Sequence, residues 1–436
     1  MADSQKAPSG AYVWWVVFVL TVTQAMAFVD RQVLALLVEP IRRELHADDT
    51  LMGLLYGLSF ALFYVIVAIP LAWLADRSNR RNILAASLGI WSLMTALCGL
   101  AGSFGQLFAA RVGVGAGEAG LSPSAQSILA DYFPNHRLAT ALGVFSMGVS
   151  IGGGLALLAG GLILQAAPQI AALLPFGPLS PWRVVMIVVG APGVILALLF
   201  LTVREPPRHF HPPPMAMRDV FAHVGAHKPL YLGLIGALAM IVFVAQSSSA
   251  WIPAFFERRF GWEGPKIGPL YGPLILICGG SGALAGGLIA SALKRRGVAR
   301  ANLKASLGGF LLVTPLAVAF PLMPTPWAAL AVIGAMVFCA GLPSGGGYAT
   351  LQEITPPRMR AQMTALNGLM VNLIGAGLGP LSVGWLTDHT FADPAKINLS
   401  IALVALIACP IAICFYLLAL SSLADDQGAV ASTSAV

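Results

Sequence analysis

The feature that most constrains this chain is a succession of long apolar runs separated by short polar segments. Between Tyr12 and Val38, for example, only Asp30 and Arg31 carry charge. About 20 consecutive apolar residues form an α-helix that spans the hydrocarbon core of a bilayer. Of the 436 residues, 58% are hydrophobic and 10% are charged, whereas soluble domains carry roughly 25% charged residues. We therefore predict an all-α integral membrane protein.

Twelve such runs can be placed along the chain, six on each side of a polar interruption. The first six are predicted near Tyr12–Val38, Leu51–Ala75, Asn82–Ser103, Gln106–Tyr132, Ala139–Gln165 and Trp182–Val203. The second six are predicted near Pro229–Phe256, Ile267–Leu293, Leu303–Leu322, Pro326–Gln352, Gln362–Asp388 and Ile397–Leu420.

The interruption "VREPPRHFHPPPMAMRDVFAHVGAHK" is rich in proline and charge, so we interpret it as a solvated connector. It divides the chain into a bundle over residues 1–203, a cytoplasmic linker over 204–228, a bundle over 229–422 and a disordered cytoplasmic tail over 423–436. The segment "AWLADRSNRR" after the second span aligns with "GLIASALKRR" after the eighth, which indicates two similar six-helix halves. Two such halves around a central site are typical of secondary transporters.

The basic residues are distributed unevenly over the predicted loops. Of the 25 Lys and Arg residues, sixteen fall on the side of the two termini, seven on the other side and two inside spans. An excess of Lys and Arg marks cytoplasmic loops, so both termini are predicted in the cytoplasm, and the inner membrane of a bacterium is the expected location. This topology accounts for the formal charge of +7 without nucleic-acid binding. Irregular histidine spacing and unpaired cysteines predict no metal.

Four ionisable residues are predicted inside spans: Asp30 and Arg31 in the first, Arg111 and Glu118 in the fourth. Such residues are costly in a bilayer and usually face the protein interior, where they act in transport or proton relay. Arg111 and Glu118 are seven residues apart and therefore share a helix face. Two turns separate them, so we expect a carboxylate from another helix, Asp30, to pair with Arg111. The alternative is that the four charges only hold helices together.

Around these charges, the fourth span reads "RVGVGAGEAG". Its glycines allow close approach of a neighbouring helix. Pro123 lacks a backbone N–H, so we expect this helix to bend.

Several stretches resemble the major facilitator superfamily and, within it, the spinster-like transporters. In the first half they are "FVDRQVLALLVEPIRREL", "LADRSNRR" and "RVGVGAGEAGLSPSAQSILADYFP". In the second half, "AQSSSAWIPAFFERRFG" and "GPLSVGWLTDHT" match less sharply. The loop after the second span keeps the superfamily's Asp and basic residues, while Ala72 and Asn79 replace its two glycines; Asn at that second position is spinster-like.

The resemblance implies a twelve-helix transporter that works by alternating access. Spinster-like proteins are similar to one another in moving lysophospholipids or sphingosine phosphates, often with proton coupling. An arginine in a dry cavity suits a phosphate, so an amphipathic anionic lipid is the expected substrate. We expect Asp30 and Glu118 to exchange the proton, with Arg111 as their switching partner and Arg31 assisting. The proton is the only coupling ion expected, and no cofactor is expected.

Further residues were assigned by position. A conformational gate is predicted on the cytoplasmic side, where Asp76 would cap a facing helix and Arg77 and Arg81 would reach Asp131. Arg80 and Arg137 are included in this gate; for Arg80 alone, a position at the lipid surface under the positive-inside rule is the competing interpretation. The uncharged candidates for substrate binding, which join Arg111 and Glu118, are Gln246, Ser249, Trp251, Tyr348, Asn367 and Asn372. For each of these, interhelical packing is the competing interpretation.

Two other functional classes stay open. The first is a drug or small-organic-anion transporter of the same fold. Arginines in the cavity argue against cationic drugs as its substrates. The second is a membrane enzyme or receptor, but the sequence has no HExxH, GxSxG or paired-cysteine motif. We therefore expect no enzymatic activity, and a monomer in the bilayer whose partner is a lipid or organic anion.

Overall fold

A computed structural model describes residues 10–173, 175, 177–207, 217–343, 346–356 and 359–433. Only the backbone is described for residues 424–433 and for Ile69, Ala72, Asp76, Asn135, His136, Ala139, Met217 and Ala361. The predicted all-α fold is confirmed: every regular element within these ranges is a helix.

Eight α-helices precede the central interruption: α1 (Gly10–Glu44), α2 (Asp49–Tyr56), α3 (Leu58–Arg77), α4 (Arg80–Cys98), α5 (Phe104–Glu118), α6 (Leu121–Tyr132), α7 (Asn135–Ala171) and α8 (Pro181–Leu196). A 3-10 turn, Ala197–Thr202, extends α8.

Eleven α-helices follow: α9 (Met217–Ala226), α10 (Lys228–Ser249), α11 (Ile252–Phe260), α12 (Gly264–Leu274), α13 (Gly280–Arg295), α14 (Ala301–Ala319), α15 (Pro326–Gly341), α16 (Gly346–Ile354), α17 (Arg360–Met370), α18 (Gly379–Trp385) and α19 (Ile397–Thr433). Three π-helical segments, Ile275–Gly279, Val371–Leu378 and Leu386–Phe391, and two 3-10 turns, Phe320–Leu322 and Pro394–Lys396, lie between them.

Within the described residues, eleven helical stretches are long and apolar enough to cross a membrane. The predicted fourth span is not among them because it is broken into α5 and α6. The break lies at Ala119 and Gly120, and Pro123 explains it. Proline has no N–H to donate to the carbonyl four residues earlier, which is that of Ala119. The bend expected from the sequence is therefore present as a helix break.

The chain forms two compact units: residues 1–33 with 63–210, and residues 34–62 with 211–436. The first contains the amino-terminal part of α1 and most of α3, together with α4 to α8. The second contains the rest of α1, α2 and the helices from α9 onward. Residues 208–216 of the predicted linker lie outside the described residues. Residues 34–62, which the sequence groups with the first six spans, therefore pack within the second unit.

In the first unit, α4 lies against both α5 and α8. Close approach is possible because glycines face α4 from both neighbours: a Cβ atom on Gly117 of α5 would lie 2.9 Å from the Cβ of Trp91, and one on Gly190 of α8 would lie 2.5 Å from the backbone nitrogen of Ala96. Small residues at helix interfaces permit this kind of packing in membranes. The glycines of the "RVGVGAGEAG" stretch thus serve helix packing.

Candidate functional site

A buried ion pair joins α1 to α5 in the first unit. Arg31 donates through Nε to Oε2 of Glu118 at 2.7 Å, and its Nη2 contacts the same oxygen. The Glu118 side chain is fully buried, while that of Arg31 is 23% exposed. The rings of Phe28 and Tyr64 lie against the Arg31 guanidinium, with centroids 5.1 and 5.5 Å from Cζ. Aromatic faces favour such a cation, so the pair has an apolar and partly aromatic surround.

Asp30 and Arg111 form the second part of the site. Arg111 is 1% exposed, and its Nη1 donates to the backbone carbonyl of Asp30 at 3.2 Å. Both carboxyl oxygens of Asp30 are buried and have no hydrogen-bond partner among the described residues. Burying a charged group without a partner is costly. Among the described residues, the Asp30 carboxyl group is therefore buried without a hydrogen bond.

The structure corrects one contact expected from the sequence. Arg111 is expected to pair with the carboxylate of Asp30, but it contacts the Asp30 carbonyl instead. Glu118, two turns from Arg111 on the same helix, pairs with Arg31, the residue expected to assist. The reason is geometric: consecutive residues of a helix point about 100° apart, so Asp30 and Arg31 address different parts of α5. The four charged residues nevertheless gather in one region of the first unit.

The predicted gate residues are arranged differently from the expectation. Arg80, not Arg77 or Arg81, reaches Asp131: its Nη1 forms the ion pair with Oδ2 and donates to Ser127 Oγ at 2.7 Å. Its Nε also donates to Glu205 Oε1 at 2.6 Å. The side chains of Arg80 and Asp131 are each 4% exposed. Arg80 is therefore a buried connector between α4, α6 and the segment after α8.

The other gate candidates lie at the edge of this network. The Arg77 guanidinium lies 4.1 Å from the centroid of the Trp73 ring, and Arg81 donates to Asn82 Oδ1 and, weakly, to Val203 O. Neither reaches Asp131 because α3 and α4 turn these side chains elsewhere. Arg137 is exposed at the start of α7. The side chain of Asp76 is outside the described residues, so its capping role stays a prediction.

The uncharged candidates belong to the second unit and differ in burial and in hydrogen bonding. Trp251 is buried and its indole donates to Pro380 O at 2.9 Å, so it is part of the interior packing. Asn372 donates to Gly368 O within its own helix, and Ser249 donates to Gln246 Oε1 at 3.4 Å.

Tyr348 and Asn367 are the candidates that remain polar and close together. Tyr348 is exposed and its hydroxyl lies beside Asn367. Asn367 is 1% exposed, and neither its amide oxygen nor its nitrogen has a partner that meets hydrogen-bond geometry within the described ranges. This pair is the better-supported candidate for polar recognition in the second unit.

A second charged cluster, not anticipated from the sequence, lies in the second unit. Arg258 of α11 donates to both carboxyl oxygens of Asp49 and to Glu39, with donor–acceptor distances of 2.6 Å. Arg43 bonds Glu257 at 2.7 Å. The sequence predicts Arg258 just outside the seventh span, in a loop. Its only sequence signal is a basic pair at a helix end, which by itself does not distinguish a lipid-surface arginine from a buried one.

The described contacts of the second unit also include a side-chain cap. Asp388 accepts from the backbone nitrogen of Thr50 at 2.6 Å and from its hydroxyl at 2.7 Å. Acidic groups at helix N-termini are stabilised by the free N–H groups and the helix dipole. Together with Arg258, this contact holds the start of α2 in the second unit.

Comparison with known proteins was made by sequence and by structure. The family model of the Major Facilitator Superfamily matches residues 20–380. The chain is 29% identical to an MFS-type efflux pump of Mycolicibacterium smegmatis, over 93% of this chain and 92% of that protein. It is 23% identical to a probable L-galactonate transporter of Escherichia coli, over 83% and 80% of the two chains.

A solved structure is similar over nearly the whole chain. It is a bacterial homologue of the human lysosomal transporter Spinster, in an inward-facing and unoccupied conformation, with a TM-score of 0.81 and 31% identity. The match covers 96% of this chain and 99% of that one. The apolar helices, the buried charges and these similarities agree with one another. The chain is an integral membrane protein that belongs to the major facilitator superfamily, as a spinster-like transporter rather than an enzyme.

Proposed function

We propose that this protein is a proton-coupled secondary transporter of an amphipathic anionic lipid of the lysophospholipid or sphingosine-phosphate class. The observation that carries the proposal is the arrangement in the first unit of one ion-paired carboxylate, Glu118, and one buried carboxyl group without a hydrogen bond, Asp30. The similarity to a solved spinster homologue supports a spinster-like transporter, and the lipid class is what the spinster resemblance implies. We place the transporter in a bacterial inner membrane with both termini in the cytoplasm.

In this proposal, the proton is exchanged at Asp30 and Glu118. Burial favours the uncharged form of a carboxyl group, whereas an adjacent guanidinium favours the charged form. A change in the distance between Glu118 and Arg31 therefore changes the proton affinity of Glu118. Arg111, already adjacent to Asp30, supplies positive charge for the anionic head of the substrate, which suits charge-assisted hydrogen bonds to a phosphate.

The alternating-access cycle needs contacts that form and break on the cytoplasmic side. We assign this role to the Arg80, Asp131 and Glu205 network, with Asp76, Arg77, Arg81 and Arg137 at its margin. Tyr348 and Asn367 are the polar groups that we assign to substrate binding in the second unit.

The test is uptake of labelled lysolipid into proteoliposomes that contain the purified protein, with and without a pH gradient. Wild-type protein should accumulate lysolipid only with the gradient, and Asp30→Asn and Glu118→Gln should each abolish this driven uptake. Glu353→Gln is the matched control, because Glu353 is a half-exposed carboxylate that pairs with Lys294. Driven uptake that persists in both site variants would contradict the proposed coupling residues.

The similarity to an efflux pump favours a second candidate, export of drugs by the same fold. A relative described as a sugar-acid transporter adds small organic anions to the candidates. The same proteoliposomes separate the three: lysolipid, sugar acids and a cationic dye are offered in turn. Gradient-driven movement of the dye but not of lysolipid would replace the lipid assignment with drug efflux.

A further inference from the structure

Two polar side chains of α4 lie beside the Asp30 carboxyl group. Trp91 and Thr95 are four residues apart, and residues at this spacing share one face of a helix. Both are 0% exposed. Both side chains lie close enough to the carboxyl group of Asp30 to influence it. Asp30 therefore faces an indole N–H and a hydroxyl group as well as the charges of α5.

These groups share an unusual property. Trp91 Nε1, Thr95 Oγ1 and both carboxyl oxygens of Asp30 are buried, and in the part of the chain that the structure describes none has a partner with hydrogen-bond geometry. The great majority of buried polar groups in proteins are hydrogen-bonded, and each exception calls for an explanation. Two donors without acceptors lie next to two acceptors without donors. The simplest explanation is that they pair in another protonation state of the same site.

The two donors are held by tightly packed helices. Gly117 of α5 allows the backbone of α4 to approach at Trp91, where a Cβ atom would lie 2.9 Å from both the Cβ and the backbone nitrogen of Trp91. On the other side of α4, Gly190 and Gly193 of α8 lie against Ala96 and Ser92. Because α4 is packed on both sides, its backbone holds both donors in place.

We infer that Trp91 and Thr95 are positioning residues of the proton site: they donate hydrogen bonds to the Asp30 carboxylate once its proton has left. The inference rests on the proposed proton coupling at Asp30. An indole N–H can only donate, so it stabilises the carboxylate and cannot accept a hydrogen bond from the O–H of the protonated acid. A hydroxyl can also accept from a protonated acid. We therefore expect Trp91 to have the larger influence on the pH at which Asp30 binds a proton.

Other ionisable groups also face Asp30 and act on its proton. Arg111 and Glu118 approach from α5, and the Cys98 thiol lies on the same face of α4 as Thr95. Arg31 follows Asp30 on α1 and holds Glu118. The described contacts of α7 with α1, at Gly148 and Gly152, add no titratable side chain. All of these ionisable groups are kept when Trp91 or Thr95 is replaced, so the variants differ from the wild type in one donor and not in a charge.

The experiment is an infrared titration of the purified protein, which needs no substrate and no transport. The absorption band of the protonated Asp30 carboxyl group is identified by its loss in Asp30→Asn, and its intensity is followed against pH. Removing one donor to a carboxylate should move the midpoint to higher pH by about one unit, from the usual strength of a hydrogen bond to a charged group. We expect this shift in Thr95→Val and, more strongly, in Trp91→Phe.

Three controls separate positioning from structure. Thr95→Ser keeps the hydroxyl and should restore the wild-type midpoint. Thr23→Val removes a buried hydroxyl of α1 that donates to Val19 O instead, and Trp182→Phe removes a buried indole of α8; neither should move the midpoint. Thr95→Val is nearly isosteric, so it tests the inference even if Trp91→Phe does not fold.

The outcomes distinguish the role of the two donors from proton binding at Asp30 itself. An Asp30 band that titrates at the same pH in wild type, Thr95→Val and Trp91→Phe would overturn the role of the donors while leaving proton coupling intact. If no Asp30-dependent band titrates in the wild type, the proton site itself is wrong, and this inference falls with it. A shift in Thr95→Val that Thr95→Ser reverses supports the inference.

Discussion

Arg31 Nε lies 2.7 Å from Glu118 Oε2, although the two residues are 87 positions apart in the chain. Arg111 lies on the same helix as Glu118, seven residues before it, and bonds the Asp30 carbonyl instead. Glu118 of α5 is therefore paired with Arg31 of α1, and Arg111 of α5 donates to the backbone of α1. This exchange ties the two helices together through both of the charged residues of α5.

The first prediction concerns the ion pair between Arg31 and Glu118. Arg31→Gln and Glu118→Gln should each lower the melting temperature, because each leaves one charge of a buried pair without its partner. The double variant should recover part of the loss, with a coupling free energy of about 2 kcal/mol, within the range found for contacting residues. Thermal unfolding in detergent measures it. The same cycle for Arg111 and Glu118 is the control, and an equally large coupling there would contradict the structure.

The second prediction distinguishes Arg80 from its neighbour. Arg80→Ala should destabilise the protein by about 3 kcal/mol, because it removes the guanidinium that pairs with the buried Asp131 and with Glu205. Arg81→Ala should cost no more than about 1 kcal/mol, since it loses contacts of a partly exposed side chain. The midpoints of thermal unfolding compare the two variants. Equal losses would show that the buried network does not depend on Arg80.

The third prediction tests the charged cluster of the second unit. Arg258→Ala should cost about 3 kcal/mol, because the buried Glu39 and Asp49 would lose their closest cation and keep the longer contacts with Arg42, at 3.4 and 3.9 Å. Arg258→Lys should recover only part of this, since an ammonium group cannot reproduce the forked contact with Asp49. Arg259→Ala removes the exposed arginine next in sequence and should be nearly neutral. A small loss in Arg258→Ala would mean that solvent reaches the cluster.

The fourth prediction uses two helical glycines. Gly117→Ala should destabilise by about 1–3 kcal/mol, because the new methyl group would lie 2.9 Å from the backbone and Cβ of Trp91. At Gly143 there is open space within 4 Å of the equivalent position. Gly143→Ala should therefore be neutral or stabilise by up to about 1 kcal/mol through helix propensity. Melting temperatures of the two variants should move in opposite directions or differ clearly in size.

The fifth prediction concerns pH and lies outside the membrane spans. Burial, and then the neighbouring His227, lower the pKa of His223, whose Nε2 lies 3.1 Å from the Tyr231 hydroxyl. Between this lowered value and the unfolded value of about 6.5, the unfolded chain binds more protons than the folded one. Stability should therefore rise with pH across this window, and it is lost as pH falls through the folded pKa.

His223→Gln should reduce that pH dependence of the melting temperature. The same substitution at His389, an exposed histidine, is the control. A melting temperature whose pH dependence is identical in wild type and His223→Gln would refute the assignment to His223.

The sequence alone determined the membrane-spanning class, the helical fold, the superfamily and the identity of the four charged residues of the first unit. These follow from local and cumulative properties: the length of apolar runs, the cost of a charge in hydrocarbon and the missing N–H of Pro123. The break between α5 and α6 was predictable for the same reason, because it depends on residues only four positions apart.

Which charges meet depends on how the helices pack in three dimensions. Arg258 joins Glu39 and Asp49 across 219 and 209 positions of the chain, and Arg80 rather than Arg81 turns toward Asp131. Ion pairing in a dry interior depends on which helices are neighbours and on the direction of each side chain about its helix axis, to within an ångström. Sequence spacing specifies the face of one helix, and it carries no information about the helix that this face will contact.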